Sequence, residues 1–211
     1  MPDFDLERVY ITTHRGAVIA GVDEAGRGPW AGPVIASAVI LDIERIPYDL
    51  CSSLDDSKKL SATRRAVLFR ALYKCGAATI GVGQASVKEI DANNILNATH
   101  LAMARAIEQI GHKVNLALVD GNVEPPLPCD VTTVVKGDSK SLSIAAASVV
   151  AKVTRDRLMA ELATVCPGYG WETNMGYGTK KHQDAISRLG ITAYHRRSFA
   201  PIKTAMNSAA V

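Results

Sequence analysis

Acidic residues stand where β-type runs end. The apolar run Ile19-Ala20-Gly21-Val22 leads into Asp23-Glu24, residues 115–120 close on Asp120 and Gly121, and residues 131–136 are followed by Gly137-Asp138 at a strand-to-helix turn. In open α/β sheets the carboxyl ends of the strands form the crevice where ligands bind. If the first and fourth strands are parallel neighbours, Asp23 and Asp120 lie side by side. Carboxylates gathered there repel one another unless cations neutralise them. The economical partner is a divalent metal, and an all-oxygen donor set without a nearby Cys or His pair favours Mg²⁺ or Mn²⁺ over Zn²⁺. Asp23, Glu24, Asp120 and Asp138 are the candidate metal ligands.

Each acid taken singly has a plainer use. Asp138 could cap the helix that starts near Ser141, with Ser139 competing for the same job; Asp120-Gly121-Asn122 could be a turn; Asp23-Glu24 could open a solvated loop. The joint pattern is what favours a metal centre. It carries a geometric condition, because consecutive strand residues face opposite sides. Asp23 and Glu24 share a site only if the strand breaks between or just after them, and Ala25-Gly26-Arg27-Gly28-Pro29 supplies that break.

Two further segments carry ligand-binding residue types. Gly26-Arg27-Gly28 is not a phosphate-binding GxGxxG, but its glycines let backbone groups approach a ligand closely and Arg27 suits a phosphate; the alternative is a tight turn with an exposed Arg. Tyr177 lies between Gly176 and Gly178, next to Lys180, Lys181 and His182. Held there, an exposed ring could stack on a base or sugar while the basic side chains beside it contact phosphates; the alternative is a structural Tyr.

The elements that must position these residues alternate along the chain. Strands are expected over residues 17–23, 34–41, 77–85, 115–120 and 131–136. Helices are expected from a cap at Ser61 or Thr63 to about Lys74, from a Ser86–Glu89 capping box to about Ile110, and over residues 141–164 with the small residues Ala145, Ala146, Ala147, Ser148 and Ala151 for close packing. Residues 166–211 lack a strand signal and read as loops with one or two short helices, the clearest over 180–189. The expected architecture is an α/β domain with a mixed central sheet flanked by helices over residues 1–165, plus a small helical extension over 166–211.

Composition narrows the class. The chain has 211 residues, 47% of them hydrophobic, and a net charge of +3, which excludes disorder as its main character. Residues 152–211 carry nine Lys and Arg against four Asp and Glu, a net of +5, so the remainder carries −2. A basic C-terminal portion hints at a polyanion partner. Cys51, Cys75, Cys129 and Cys166 are scattered, as expected of buried thiols in a reducing compartment. The polar segment 1–15 is no signal peptide, and the longest apolar runs fall far short of the ~20 residues of a membrane span. The expectation is a cytoplasmic protein with no membrane partner.

Several blocks in chain order resemble one family. Residues 21–34, from Gly21-Val22-Asp23-Glu24-Ala25-Gly26-Arg27-Gly28 to Pro33-Val34, closely resemble the N-terminal signature of ribonuclease HII. Asp55-Asp56-Ser57-Lys58-Lys59-Leu60-Ser61, Val119-Asp120-Gly121-Asn122, and Lys136-Gly137-Asp138-Ser139-Lys140-Ser141 with the helix to Arg157 follow. Gly176-Tyr177-Gly178-Thr179 with His182, and His195-Arg196-Arg197-Ser198-Phe199, complete the match over about residues 16–201. About fifteen residues precede the first strand, which favours the HII over the HIII type.

The resemblance implies a ribonuclease H-like fold with a C-terminal helical extension. It implies an endoribonuclease, acting as a monomer, that cleaves RNA in RNA–DNA hybrids and incises 5′ of ribonucleotides embedded in duplex DNA, as ribonucleotide excision repair requires. By it, Asp23, Glu24, Asp120 and Asp138 are catalytic and hold the metals, two in catalysis, with 5′-phosphate and 3′-hydroxyl products. Gly26, Arg27 and Gly28 sense the ribose 2′-OH and adjoining phosphate, Tyr177 packs against the junction nucleotide, and Lys58, Lys59, Thr179 and Lys180 contact the backbone. A junction-resolving or strand-transferring DNA nuclease of the same fold is the competing reading.

Overall fold

The computed structural model describes residues 1–208. Its strands are β1 (Ile19–Ala25), β2 (Val34–Leu41), β3 (Ala78–Ala85), β4 (Leu116–Asp120) and β5 (Asp130–Val134). The helices are α1 (Asp5–Thr13), α2 (Tyr48–Cys51), α3 (Ala62–Lys74), α4 (Val87–Gln109), α5 (Leu142–Val165), α6 (Trp171–Asn174), α7 (Lys180–Leu189) and α8 (Ala200–Ser208). The sheet order is β3-β2-β1-β4-β5, with β1–β2 and β2–β3 antiparallel and β1–β4 and β4–β5 parallel. This is the expected mixed sheet, and the parallel β1–β4 pair is the one the acid argument needed.

Central strands buried on both faces lose the alternation of a half-exposed sheet. In β1, Ala20 and Val22 join Ala36 and Ala38 of β2 against Ala98, Ala102 and Ala106 of α4. The opposite parity, Ile19 and Gly21, lies toward α5, where Ile144 packs on Ile19. A Cβ on Gly21 would sit 2.1 Å from the Ser143 carbonyl carbon, and one on Gly81 or Gly83 would sit 2.0 Å from a carbonyl oxygen of α4. Missing side chains thus let both helices press onto the sheet. The small residues expected to allow close packing on α5, Ala145–Ala147, are fully buried.

Local signals settle most boundaries. Ser61 caps α3 by accepting the Arg64 N–H, and Ser86 and Glu89 form the expected capping box of α4. Other details differ. The first strand runs two residues further than expected, to Ala25, because Glu24 and Ala25 still pair with Ala36 and Ile35. The fifth ends at Val134, since Lys136 adopts a left-handed φ of 56° and swings the chain into a single 3-10 turn, Gly137–Ser139. Helix α4 is interrupted at Asn94 (φ 62°), whose Oδ1 accepts the Asn97 N–H and so caps the second segment.

The sequence showed no element before residue 15, yet α1 is there. Its Glu7 is buried, and Oε1 accepts from the Ser141 and Ser143 hydroxyls, each at 2.6 Å. The Asp3 backbone brackets the same segment: its N–H donates to Lys140 O and its carbonyl accepts the Leu142 N–H.

Residues after α5 form three helices where one or two were expected. They wrap a core of Tyr169, Trp171, Ile186 and Ile202 that includes Met159 of α5 and Ala31 of the β1–β2 loop. Among the described residues no helix is long and apolar enough to cross a membrane.

Candidate active site

Asp23 in β1, Asp120 at the end of β4 and Asp138 in the 3-10 turn each offer a carboxylate oxygen within 4.8 Å of the others. The parallel register that pairs Val22 with Val119 places the first two side by side. The third is brought in by the turn, whose Gly137 N–H donates to Asp120 Oδ1 at 2.7 Å. Asp138 does not cap α5; Ser141 does, accepting the Ile144 N–H. Glu24 stays outside the trio. The strand continues through it to Ala25, and its carboxylate meets Arg27 at 3.4 Å while still facing the charges of Asp120 and Lys58. The break expected just after the two acids comes one residue later, after Ala25, and Glu24 lines the same cleft as Asp23.

The electrostatics are those of a site short of positive charge. Burial, then the charges of Glu24 and Asp120, push the Asp23 carboxyl well above its usual range, against the pull of the Glu24 N–H and the Ser148 hydroxyl. Burial and Asp120 raise Asp138 to about 6, with Asp56 contributing. Burial also raises Glu24, partly offset by Arg27. For Lys58, burial opposes its charge, but Asp23, Asp56, Asp138 and Asp120 outweigh burial and raise it. Arg27 offsets Glu24 and Lys58 faces the rest, and the three gathered carboxylates form an oxygen-only donor set that fits a divalent cation.

A cleft of about 430 Å³ brings Asp23 and Glu24 together with Gly26, Arg27, Gly28, Lys58 and Tyr177. Tyr177 is 47% exposed, so it is no core residue, and its ring lies 3.4 Å from where a Cβ on Gly28 would stand. Gly26 has a φ of 104°, and a Cβ there would meet Arg155 Nε at 2.0 Å, so both backbone and space demand glycine. Three other expected contacts have partners outside the cleft lining. Lys59 pairs with Asp55 at 3.0 Å, Lys180 with Asp184 at 2.8 Å, and Thr179 caps α7 by accepting the His182 N–H.

Some residues that build the site gave no sequence signal as single residues. Arg155 and Arg196 are 1% and 0% exposed. Arg155 donates to the carbonyls of Ala31, Pro33 and Met175, and Arg196 to those of Gly26, Arg27, Gly32 and Pro33. Burial pushes Arg155 down to about 10 and Arg196 to about 9. Charged residues on a helix or in a loop read as solvated, and only the folded chain shows these two beneath the glycine loop. Ser57 and Ser148, whose hydroxyls are 2.7 Å apart, tie the Lys58 segment to α5 beside Asp23.

A protein-family model described as ribonuclease HII matches residues 20–202. The chain belongs to the ribonuclease HII family. Ribonuclease HII from Rhodospirillum rubrum is 56% identical over 211 residues, covering 100% of this chain and 94% of that protein. The crystal structure of ribonuclease H2 from Pyrococcus horikoshii OT3 superposes with a TM-score of 0.75 at 27% identity, over 90% of this chain and 98% of that one. Bst ribonuclease HIII in complex with Mn²⁺ shares the fold, with a TM-score of 0.73 at 17% identity over 92% of this chain and 70% of that one. As a ribonuclease HII, the chain is a metal-dependent endoribonuclease of RNA–DNA hybrids, and its buried carboxylate trio is compatible with that chemistry.

Proposed function

We propose that this ribonuclease HII, besides cutting RNA in long hybrids, incises 5′ of single ribonucleotides embedded in duplex DNA, leaving 5′-phosphate and 3′-hydroxyl ends. The observation that carries the reading is one cleft whose floor is acidic and whose wall pairs Tyr177 with Gly28. Asp23, Asp120 and Asp138 hold two Mg²⁺ or Mn²⁺ ions, with Glu24 completing the set. When bound, such ions supply Lewis acidity for activating water and for neutralising charge on the phosphate.

The chain's own residues do the rest. Backbone groups of Gly26 to Gly28 read the 2′-OH, the group that distinguishes RNA from DNA at a given site. Arg196 holds the Gly26 and Arg27 carbonyls and Arg155 those of Ala31 and Pro33 further along the β1–β2 loop, which fixes the loop before substrate arrives. Arg27, half exposed, takes the adjoining phosphate. Tyr177 stacks on the junction nucleotide, Lys58 orients the phosphate above the acids, and Lys59, Thr179 and Lys180 are at most peripheral backbone contacts. The enzyme works as a cytoplasmic monomer in removing ribonucleotides from DNA.

A labelled DNA duplex with a single ribonucleotide, incubated with Mg²⁺ or Mn²⁺ beside an all-DNA control, tests the reading. The ribonucleotide duplex is cut once, on its 5′ side, and the control stays whole. Equal cutting of both, as by a DNA junction nuclease, or of neither, overturns it.

A further inference from the structure

His182 and His195 are both fully buried, 13 residues apart in sequence, with their Nε2 atoms 3.1 Å from each other. Their proton positions follow from fixed partners at the two ends of a chain of hydrogen bonds. The Thr192 backbone N–H can only donate, and it lies 2.9 Å from His195 Nδ1, so that nitrogen is bare. The proton of a neutral His195 ring is then on Nε2, pointing at His182. At the other end the Tyr177 carbonyl can only accept, and it lies 2.9 Å from His182 Nδ1, so that nitrogen carries the proton. His182 Nε2 is thereby bare and accepts from His195; it also accepts from the Trp171 indole N–H, at 3.1 Å. Every bond in the chain is consistent with one tautomer of each neutral ring.

The chain ends on the residue that faces the cleft. The Tyr177 carbonyl receives the His182 N–H and the Thr179 N–H, while the ring reaches out beside Gly28. On the other side, His195 bridges to Ala31, and Arg196 donates its backbone N–H to Trp30 O and its guanidinium to the Gly26 and Arg27 carbonyls. Trp30 completes the link: its N–H donates to Gly176 O, and its indole fills the space a Cβ on Gly178 would need, at 2.2 Å. The two histidines therefore lie where the glycine loop and the Tyr177 loop are joined.

We propose that His182 is a positioning residue for Tyr177, and that His195 fixes the ring tautomer that lets it act, so that the pair sets the register of the Tyr177 ring against Gly28. The inference rests on the reading of Tyr177 as the contact to the junction nucleotide. It assigns the pair to discrimination between single ribonucleotides and long hybrids, and not to the hydrolytic step at the acids.

Two experiments test it. In the first, Tyr177→Ala, His182→Phe and the double variant are compared on a single-ribonucleotide duplex and on a long hybrid. Phe keeps a ring in place but removes the N–H to Tyr177 and the acceptor of Trp171 and His195; the bond to Tyr177 is the one the substrate ratio reads, and loss of one such bond corresponds to about a tenfold change. His182→Phe lowers cleavage at the single ribonucleotide about tenfold and leaves the long hybrid within about threefold; added to Tyr177→Ala it costs less than about twofold more, because the two act as one unit. In the second, long-range ¹⁵N–¹H spectra of the wild-type enzyme at neutral pH show His182 protonated at Nδ1 and His195 at Nε2.

The reading of Tyr177 fails, and this inference with it, if Tyr177→Ala keeps the wild-type ratio between the substrates. The inference alone fails if Tyr177→Ala loses that ratio while His182→Phe keeps it, or if the two losses multiply. Should His182→Phe not fold, the wild-type spectra decide: opposite, averaged or charged rings overturn the proposal.

Discussion

The floor and the wall of the cleft are built on opposite electrostatic terms. At the floor, Asp23 lines the cleft and converges with Asp120 and Asp138, and burial drives Asp23 and Asp138 up. In the wall, Arg155 and Arg196 are buried without an ion pair among the described residues, but backbone carbonyls satisfy their donors, and the histidine pair is satisfied by its mutual bond together with Thr192, Tyr177 and Trp171. The floor is unfinished without a ligand, whereas the wall is complete before one arrives. A site can thus divide its labour: strained charge where chemistry must happen, and saturated hydrogen bonding where a shape must be read.

That contrast can be broken from either side. The largest effect is expected on the floor. Asp138→Asn lowers kcat by at least about a thousandfold, the scale of removing a key electrostatic group, while affinity for a hybrid in a gel-shift assay changes little; near-normal turnover would detach Asp138 from the chemistry. In the wall the damage is to the fold. Arg196→Met strands several loop carbonyls and costs about 3 kcal/mol, read from chemical denaturation, since each buried group left unpaired costs about 1–3 kcal/mol.

The wall also has its own pH window. Burial first, then His182, holds His195 down to about 4, so the folded state resists a proton that the unfolded chain accepts near its usual 6.5. Its contribution is fully present above 6.5 and is lost as pH falls toward 4, an upper figure of about 3 kcal/mol. Denaturation between pH 7 and 4 shows a shallower slope in His195→Gln than in wild type; identical slopes would mean that the ring is not held neutral. The smallest effect lies outside both regions. Lys180, 83% exposed and paired with Asp184, changes stability by less than about 0.5 kcal/mol in Lys180→Ala, and turnover stays near wild type.

The two regions also differ in how far the sequence reveals them. The floor was legible because strand ends are announced locally: an apolar run, an acid, a glycine. The caps at Ser61 and Ser86 were legible for the same reason, with donor and acceptor three residues apart. The end of β1 was not, since it depends on how far β1 stays paired with β2. Nor was the wall. Arg155 finds Ala31 across 124 residues and Arg196 finds Gly26 across 170, distances over which periodicity and propensity say nothing. The interruption at Asn94 and helix α1 escaped detection because an Asn in a helical run and a polar first helix look ordinary until their partners are in view.

The strap formed by α1 has a consequence for the order in which the molecule is made. Glu7 leaves the ribosome early, but the hydroxyls that hold it, on Ser141 and Ser143, follow 134 and 136 residues later. At about 5–20 residues per second, that is a wait of roughly ten seconds. The antiparallel β1–β2–β3 ribbon and α4 are already out by then. Helix α1, synthesised before the sheet it packs on, is therefore among the last to be seated, and it closes over the turn that carries Asp138 only when the catalytic floor behind it has been assembled.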